Sequence, residues 1–517
     1  NGGLAPRQID IFLKSRHLPA RTPHDWQDVL VIGELTTSPV GKCTEKFLQL
    51  SVYMREVFAA QPLRRFVHGL LMFGTQLQLW VYDRSGPYSS DFIEIRENPE
   101  KLLYVIAAYM MMSNDELGIG SSIYQDKKKT IISVIDADTL KEKKLYFQPQ
   151  PFIKQNAIVT RGTTIFLSLD GTFVVKISWR AVGRKSEAEL LLKARSVRGL
   201  ATLIGSIDTC KISELRSELT FTEGMKKDIH PPESKMTTAC NSAQSRSLNS
   251  VANTDSLTIY RNRWKTVIAS KPFGRAIDED TTPLELICGL RDAIEGHKSL
   301  FIDSKILHPD ISTNNIILTD PKLNDGYYGV LIDLDLAISM SDDSCSADAK
   351  LLTGTMEFIA LGILKAHAFP EGDGVIHSYR HDLESFFYVL VSVCIRLGWP
   401  SKKCTFIGTL RKWYKGEVVD IYFSKHTAVS PENFKAIILD AFSPKFNCVK
   451  ELASKLRIKL FQRNIDPCLD TDPFPEDLYN SILKAFDEEI VKMKRVLHPS
   501  VIPSTLHQKC KHLLTRL

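Results

Sequence analysis

Ile306-Leu307-His308-Pro309-Asp310-Ile311-Ser312-Thr313-Asn314-Asn315-Ile316-Ile317-Leu318, followed after a Gly-containing turn by Gly329-Val330-Leu331-Ile332-Asp333-Leu334-Asp335-Leu336-Ala337, is the stretch that decides the fold. An Asp five residues before an Asn, and then an Asp closing a short apolar strand, form the set of side chains that phosphoryl transfer from ATP requires. One carboxylate accepts or orients the proton of the nucleophile. An amide oxygen and the second carboxylate hold Mg2+ on the phosphates. Asp, Ser and Asn also favour turns, so the plainer reading is a polar loop between two strands.

Working outward, three features favour the chemical reading. Thr164 to Ser178 reads as a hairpin about Asp170-Gly171, a pair suited to a type I′ turn, and places Lys176 among Val174, Val175 and Ile177 on a half-buried strand. A lysine there needs an anionic partner, and ATP phosphates supply one. Ser186-Glu187-Ala188-Glu189 opens the next helix, and Glu187 is the better partner for Lys176 because Leu190 and Leu191 follow at +3 and +4. The third feature is Gly354-Thr355-Met356-Glu357-Phe358-Ile359-Ala360, with Arg380-His381-Asp382-Leu383-Glu384-Ser385 at the start of an apolar helix expected over 381–397. Thr282-Pro283-Leu284-Glu285 is a capping box with Pro at the first helical position, and it starts the helix that precedes the first motif.

These residues fall in protein-kinase order, and the set resembles the fungal-type protein kinases, with a casein-kinase-like central helix. Gly33-Glu34-Leu35, Trp80 and Asp83-Arg84-Ser85-Gly86 extend the resemblance toward the N-terminus. It implies Asp310 as catalytic base, Asn315 and Asp333 as Mg2+ ligands, Lys176 on the α/β-phosphates and Glu187 orienting Lys176. It also implies Gly162 in a phosphate-covering loop, Asp382 bracing the catalytic loop, and Ser270 to Gly274 as the hinge beside adenine. The cofactors implied are ATP and Mg2+.

The chain departs from the kinase pattern in several places. Pro309 replaces the arginine of His-Arg-Asp, which removes the usual receptor for an activation-loop phosphate. Asp335 stands for the Gly of Asp-Phe-Gly. Gly362 falls where Ala-Pro-Glu has its Glu, so an ion pair that steadies the substrate segment is lost. The Gly-rich loop reduces to Arg161-Gly162-Thr163-Thr164, and Ser312 stands where most protein kinases have Lys.

The fold class expected is α+β: a bilobal protein-kinase-like domain, with a β-rich N-lobe and a helical C-lobe, preceded by a separate α/β N-terminal domain. The boundaries expected are 1–150 for the N-terminal domain, 151–265 for the N-lobe with a flexible insertion at about 208–256, and 266–517 for the C-lobe. Residues 127–151 read as a linker, and Leu102 to Met112 as a buried helix. Asp28 with Glu34-Leu35-Thr36 resembles the metal-binding strand of restriction-nuclease-like folds. Thr36 replaces the lysine of that motif, so an inactive, structural strand is the favoured reading. Asp83 to Gly86 reads as a turn with an internal ion pair.

The composition is that of an ordinary globular protein, with 44% hydrophobic and 24% charged residues in 517. A net charge of +6 and the lack of a long Lys/Arg block give no reason to expect a specific nucleic-acid partner. Ten cysteines without a C-x-x-C pair suggest free thiols, and neither a leader nor a membrane span is apparent, so an intracellular protein of cytoplasm or nucleus is expected. The leading functional expectation is a serine/threonine protein kinase whose partner is a protein hydroxyl. Its rivals are a pseudokinase scaffold and a small-molecule phosphotransferase of the aminoglycoside or choline kinase type.

Overall fold

The computed structural model describes residues 9–14, 25–37, 43–120, 123–126, 129–219, 260–340, 352–370, 375–399, 407–461 and 474–497. They gather in two compact units. The first takes the described residues up to Leu192 and those from Thr202 to Phe273, and the second takes Lys193–Ala201 and those from Gly274 onward.

The first unit carries two sheets. In one, Ile11–Lys14, Val29–Thr36, Phe66–Phe73, Gln76–Asp83 and Gly86–Ser89 lie side by side in chain order, with Ile93–Glu94 also beside Gln76–Asp83. Val29–Thr36 and Phe66–Phe73 run parallel, which demands a crossover, and helix Cys43–Ala60 supplies it. Phe66–Phe73 buries every second residue, so Val67 and Leu71 meet Leu50, Met54, Val57 and Phe58 of that helix.

The second sheet orders its strands as Ile153–Lys154, Thr164–Leu167, Val174–Ala181, Arg263–Lys271, Thr202–Lys211, Lys129–Asp136 and Ile123–Asp126, with Glu142–Phe147 beside Lys129–Asp136. The boundary expected at 150 therefore falls between strands of one sheet, while the first sheet lies wholly within residues 11–94. The stretch read as a linker contains two of these strands. Ile132, Val134, Leu145 and Phe147 enter the core, while Lys141, Lys143 and Lys144 are exposed and disguised the alternation.

Three further expectations need correction. The Asp170-Gly171 connection is not a type I′ turn: only Gly171 has a positive φ, of 72°, and Leu167 pairs with Val174 across a longer loop. Asp170 instead accepts from Ser168 Oγ at 2.6 Å and Thr172 Oγ1 at 2.8 Å, closing the loop with its side chain. Helix Pro99–Met111 is not buried. Tyr109 alone is buried, while Leu103, Tyr104 and Met111 are 67%, 71% and 83% exposed. The insertion does not begin at 208, because strand Thr202–Lys211 and helix Ile212–Leu215 continue the fold and Ile212 is fully buried. The remainder of that expectation, 220–256, lies outside the described residues.

The second unit is mainly helical. Thr282 Oγ1 accepts the Glu285 N–H and Glu285 Oε2 accepts the Thr282 N–H, the reciprocal cap that starts helix Pro283–Ile302. Helix Tyr379–Arg396 is buried on nearly every side, as a helix without a polar face must be. Leu361–Ala368, Val418–Val429, Lys450–Phe461 and Pro475–Leu497 are the other long helices described. Two small ribbons, Ile306–Leu307 with Ile338–Ser339 and Ile316–Leu318 with Gly329–Leu331, clamp the loops 308–315 and 332–337 at both ends. No described helix is long and apolar enough to cross a membrane.

Candidate active site

In the first unit, Lys176 lies on the inner strand Val174–Ala181 and Glu187 begins helix Glu187–Lys193. Lys176 Nζ donates to Glu187 Oε2 at 2.8 Å, and both side chains are buried. An ion pair so removed from water needs further polar partners or an incoming anion to offset its desolvation. Gly162 is buried, with φ +55°, and a Cβ there would lie 2.7 Å from the guanidinium carbon of Arg84. Its N–H donates to Thr160 Oγ1 at 3.1 Å. Packing against Arg84 thus accounts for glycine at 162 without any phosphate.

The Asp83 to Gly86 turn carries no internal ion pair. Asp83 instead accepts two bonds from Arg216, at 2.7 Å from Nε and 2.8 Å from Nη2, with all these atoms buried. Arg84 donates to the Ala157 carbonyl at 2.9 Å and its guanidinium stacks 4.4 Å from the Phe58 ring centre. Burial pushes the Arg84 side chain down to about 10. Glu34, of the nuclease-like motif, is 1% exposed and accepts from Lys46 Nζ at 2.8 Å, while Asp28 ends the short turn Trp26–Asp28. Burial raises the Glu34 carboxyl against the opposing bond from Lys46. An ion pair within the fold is a sufficient reason for this glutamate.

The second unit brings Asp310 and Asn315 together. Asn315 Nδ2 donates to the Asp310 carbonyl at 2.7 Å and to Asp310 Oδ2 at 3.1 Å. Both amide hydrogens are thereby directed at Asp310, which leaves the Asn315 Oδ1 as an oxygen donor. The Ile332 N–H donates to the Asn315 carbonyl at 2.9 Å, so Asp333 follows directly on the residue paired with Asn315. Asp333 is partly buried, adopts φ 67° and accepts from the Asp335 N–H at 3.3 Å. A non-glycine residue in the left-handed region costs strain, which the flanking ribbons hold in place. A carboxylate and an amide oxygen suit a hard cation such as Mg2+.

Two further contacts support this loop. Thr355 Oγ1 donates to Asp310 Oδ1 at 2.8 Å. Asp382, wholly buried on helix Tyr379–Arg396, accepts from the His308 N–H at 2.9 Å, His297 Nε2 at 2.8 Å and His377 Nε2 at 2.5 Å. Burial opposes ionisation of Asp382, but His377 and His297 outweigh it and hold the carboxyl well below the usual range. His308 Nε2 in turn bonds the Ile332 carbonyl at 3.0 Å, tying the two loops to each other.

A model of the fungal protein kinase family matches residues 8–394. The chain belongs to that family. The match takes in the first sheet as well as Lys176, Glu187, Asp310, Asn315, Asp333 and Asp382, so in this fungal protein kinase the N-terminal sheet is part of what defines the family. No curated protein matches the chain. Among solved structures, that of vaccinia related kinase 3 is 10% identical, covering 72% of this chain and 94% of the other at a TM-score of 0.36. A likeness of that degree speaks to neither activity nor substrate.

Sequence reasoning missed what holds the segment beyond Thr355. Glu384 Oε1 accepts from the Leu361 N–H and from Tyr388 Oη, both at 2.7 Å, and Lys425 Nζ donates to the Ile359 carbonyl at 2.7 Å. A signal for Glu384 was present. A carboxylate in a helix apolar on all sides must find donors inside the protein.

Proposed function

We propose that this fungal-type protein kinase transfers the γ-phosphate of ATP, with Mg2+, to a serine or threonine hydroxyl of a protein. The observation that supports this most is the Asp310 carboxylate, which already accepts an aliphatic hydroxyl, that of Thr355, at 2.8 Å on one oxygen. A substrate hydroxyl makes the same kind of bond, and a carboxylate in that position accepts or orients its proton.

Asn315 Oδ1 and the Asp333 carboxylate are the metal ligands in this reading. When bound, the metal neutralises charge on the phosphates. Lys176, oriented by Glu187, takes the α/β-phosphates. Asp382 keeps Asp310 in register through the His308 amide. The reading includes the two-lobed kinase arrangement, with the hinge at Ser270 to Gly274, where the chain passes from the first unit to the second.

A nucleotide-binding scaffold without turnover is the second reading. Gly162 favours it, being packed against Arg84 where a phosphate-covering loop needs an open backbone.

Thermal denaturation in the presence of ATP, with and without Mg2+, tests the nucleotide site. A ligand at about a hundred times its Kd adds about 2.7 kcal/mol to the fold. ATP with Mg2+ should raise the Tm more than ATP alone, and Asp333→Asn should remove that increment. Equal shifts with and without Mg2+ in the native protein contradict the metal assignment.

A further inference from the structure

Gly362 leaves this chain without a carboxylate at the end of the segment that follows Thr355, yet residues 357–361 are bonded at nearly every position. Glu357 accepts from Ser392 Oγ at 2.5 Å and Arg396 Nη2 at 2.7 Å. The Phe358 carbonyl accepts from Ser385 Oγ at 2.7 Å, the Ile359 carbonyl from Lys425 Nζ at 2.7 Å, and the Leu361 N–H donates to Glu384 Oε1 at 2.7 Å. Ile359, Ala360, Ile363 and Leu364 pack against Ile421 of helix Val418–Val429.

Two of these anchors differ in kind from the rest. Glu384 and Lys425 are ionisable groups, 2% and 0% exposed, and each bonds the backbone of this segment rather than one of its side chains. Burying such groups is costly, and a fold that needed only stability is served as well or better by apolar residues of the same volume. The Leu361 N–H is one of the free donors at the start of helix Leu361–Ala368, which a carboxylate suits by charge as well as by hydrogen bond. Lys425 lies 4.2 Å from the Tyr388 ring centre, and Tyr388 Oη is the second donor to Glu384, so the two anchors share a neighbour. Burial raises the Glu384 carboxyl and lowers the Lys425 amine, and each charge opposes the shift of the other.

What this holds in place lies upstream. Gly354, at φ +104°, lies so close to the catalytic loop that a Cβ would be 2.4 Å from the Pro309 carbonyl, and Thr355 bonds Asp310. Residues 354–361 thus run from the Asp310 carboxylate to the two buried ionisable groups. We propose that Glu384 and Lys425 are positioning residues which hold segment 354–361 against Asp310, replacing the carboxylate that Gly362 lacks, so that a protein substrate is presented to the base. This rests on the kinase reading for its function and on the segment's geometry alone for the anchoring.

The test uses the full chain with Glu384→Ala, Lys425→Met and, as the conservative variant, Glu384→Gln, which keeps an acceptor for the Leu361 amide. Transfer to a protein substrate should fall by about 10- to 100-fold in the first two, the range for a misplaced reacting group. Slow hydrolysis of ATP by water, which needs no substrate segment, should stay within about twofold. Glu384→Gln should recover most of the transfer. Equal loss of transfer and hydrolysis, or loss of neither, overturns the proposal. Amide hydrogen exchange judges the anchoring without any turnover. In Glu384→Ala and Lys425→Met, amides 355–362 should lose protection while those of helix Tyr379–Arg396 keep it, and unchanged protection at 355–362 refutes the anchor. A native protein that shows no transfer sinks the kinase reading and leaves the exchange result standing by itself.

Discussion

The His308 amide donates to Asp382 Oδ2 at 2.9 Å, so a carboxylate in the buried helix Tyr379–Arg396 fixes the chain two residues before Asp310. The same carboxylate takes the rings of His297 and His377, and no part of it reaches water. Exchanging one of its oxygens for an amide nitrogen takes the acceptor from at least one of these three groups and sets a donor against it.

Asp382→Asn should therefore cost about 3 kcal/mol of folding stability, the scale of breaking a buried pair. The pH dependence carries a second signature. The Asp382 carboxyl is held below its unfolded value, so its contribution is complete above about pH 4 and is lost as pH falls toward the lower folded value. Urea unfolding at pH 7 and at pH 3 should show the native protein and the variant converging in acid. A constant gap between them would falsify this assignment.

Lys265 gives a slope of the same sign at alkaline pH, but from a burial cost rather than from pairing. It is 3% exposed, donates to the Leu63 carbonyl at 3.1 Å, and burial pushes its amine down to about 8 from 10.5. Between those two values the unfolded chain holds a proton that the folded one has released, so stability rises with pH across that window. Lys265→Met should raise the Tm at pH 7 and make stability less dependent on pH from 8 to 10 than in the native protein, a difference of about 3 kcal/mol at most. A lower Tm for the variant at pH 7 contradicts the burial cost.

Arg216 and Asp83 join segments 133 residues apart through two buried bonds, and Arg216 also lies 4.2 Å from the Tyr260 ring centre. Arg216→Met alone should cost about 3 kcal/mol because it leaves Asp83 charged and buried. Asp83→Asn combined with Arg216→Met should recover part of that loss. A double-mutant cycle with a coupling energy near zero means the pair does not hold the two sheets.

Much of the second unit was legible because its signals are local. Thr282 and Glu285 write their cap in four residues, and Asp310 and Asn315 meet because they lie only five positions apart in one loop. The apolar helix at 379–396 announced its burial by having no polar face. The misses were long-range or masked by charge. Nothing near Asp83 in sequence points to Arg216. Exposed Lys143 and Lys144 at the start of strand Glu142–Phe147 made a sheet member look like a linker. Helix Pro99–Met111 read as buried from its composition, yet packing in the first unit covers only the face of Tyr109, Val105 and Met112. Lys425 gave no signal, because its partners are a backbone carbonyl and two rings set by tertiary structure.

The most direct test of the central claim is transfer of labelled γ-phosphate from ATP with Mg2+ to a generic protein substrate, with Asp310→Ala beside the native chain. Labelled phosphoserine or phosphothreonine from the native protein, reduced by at least about a hundredfold in the variant, is the result the account predicts. No incorporation by the native chain, or equal incorporation by both proteins, contradicts it.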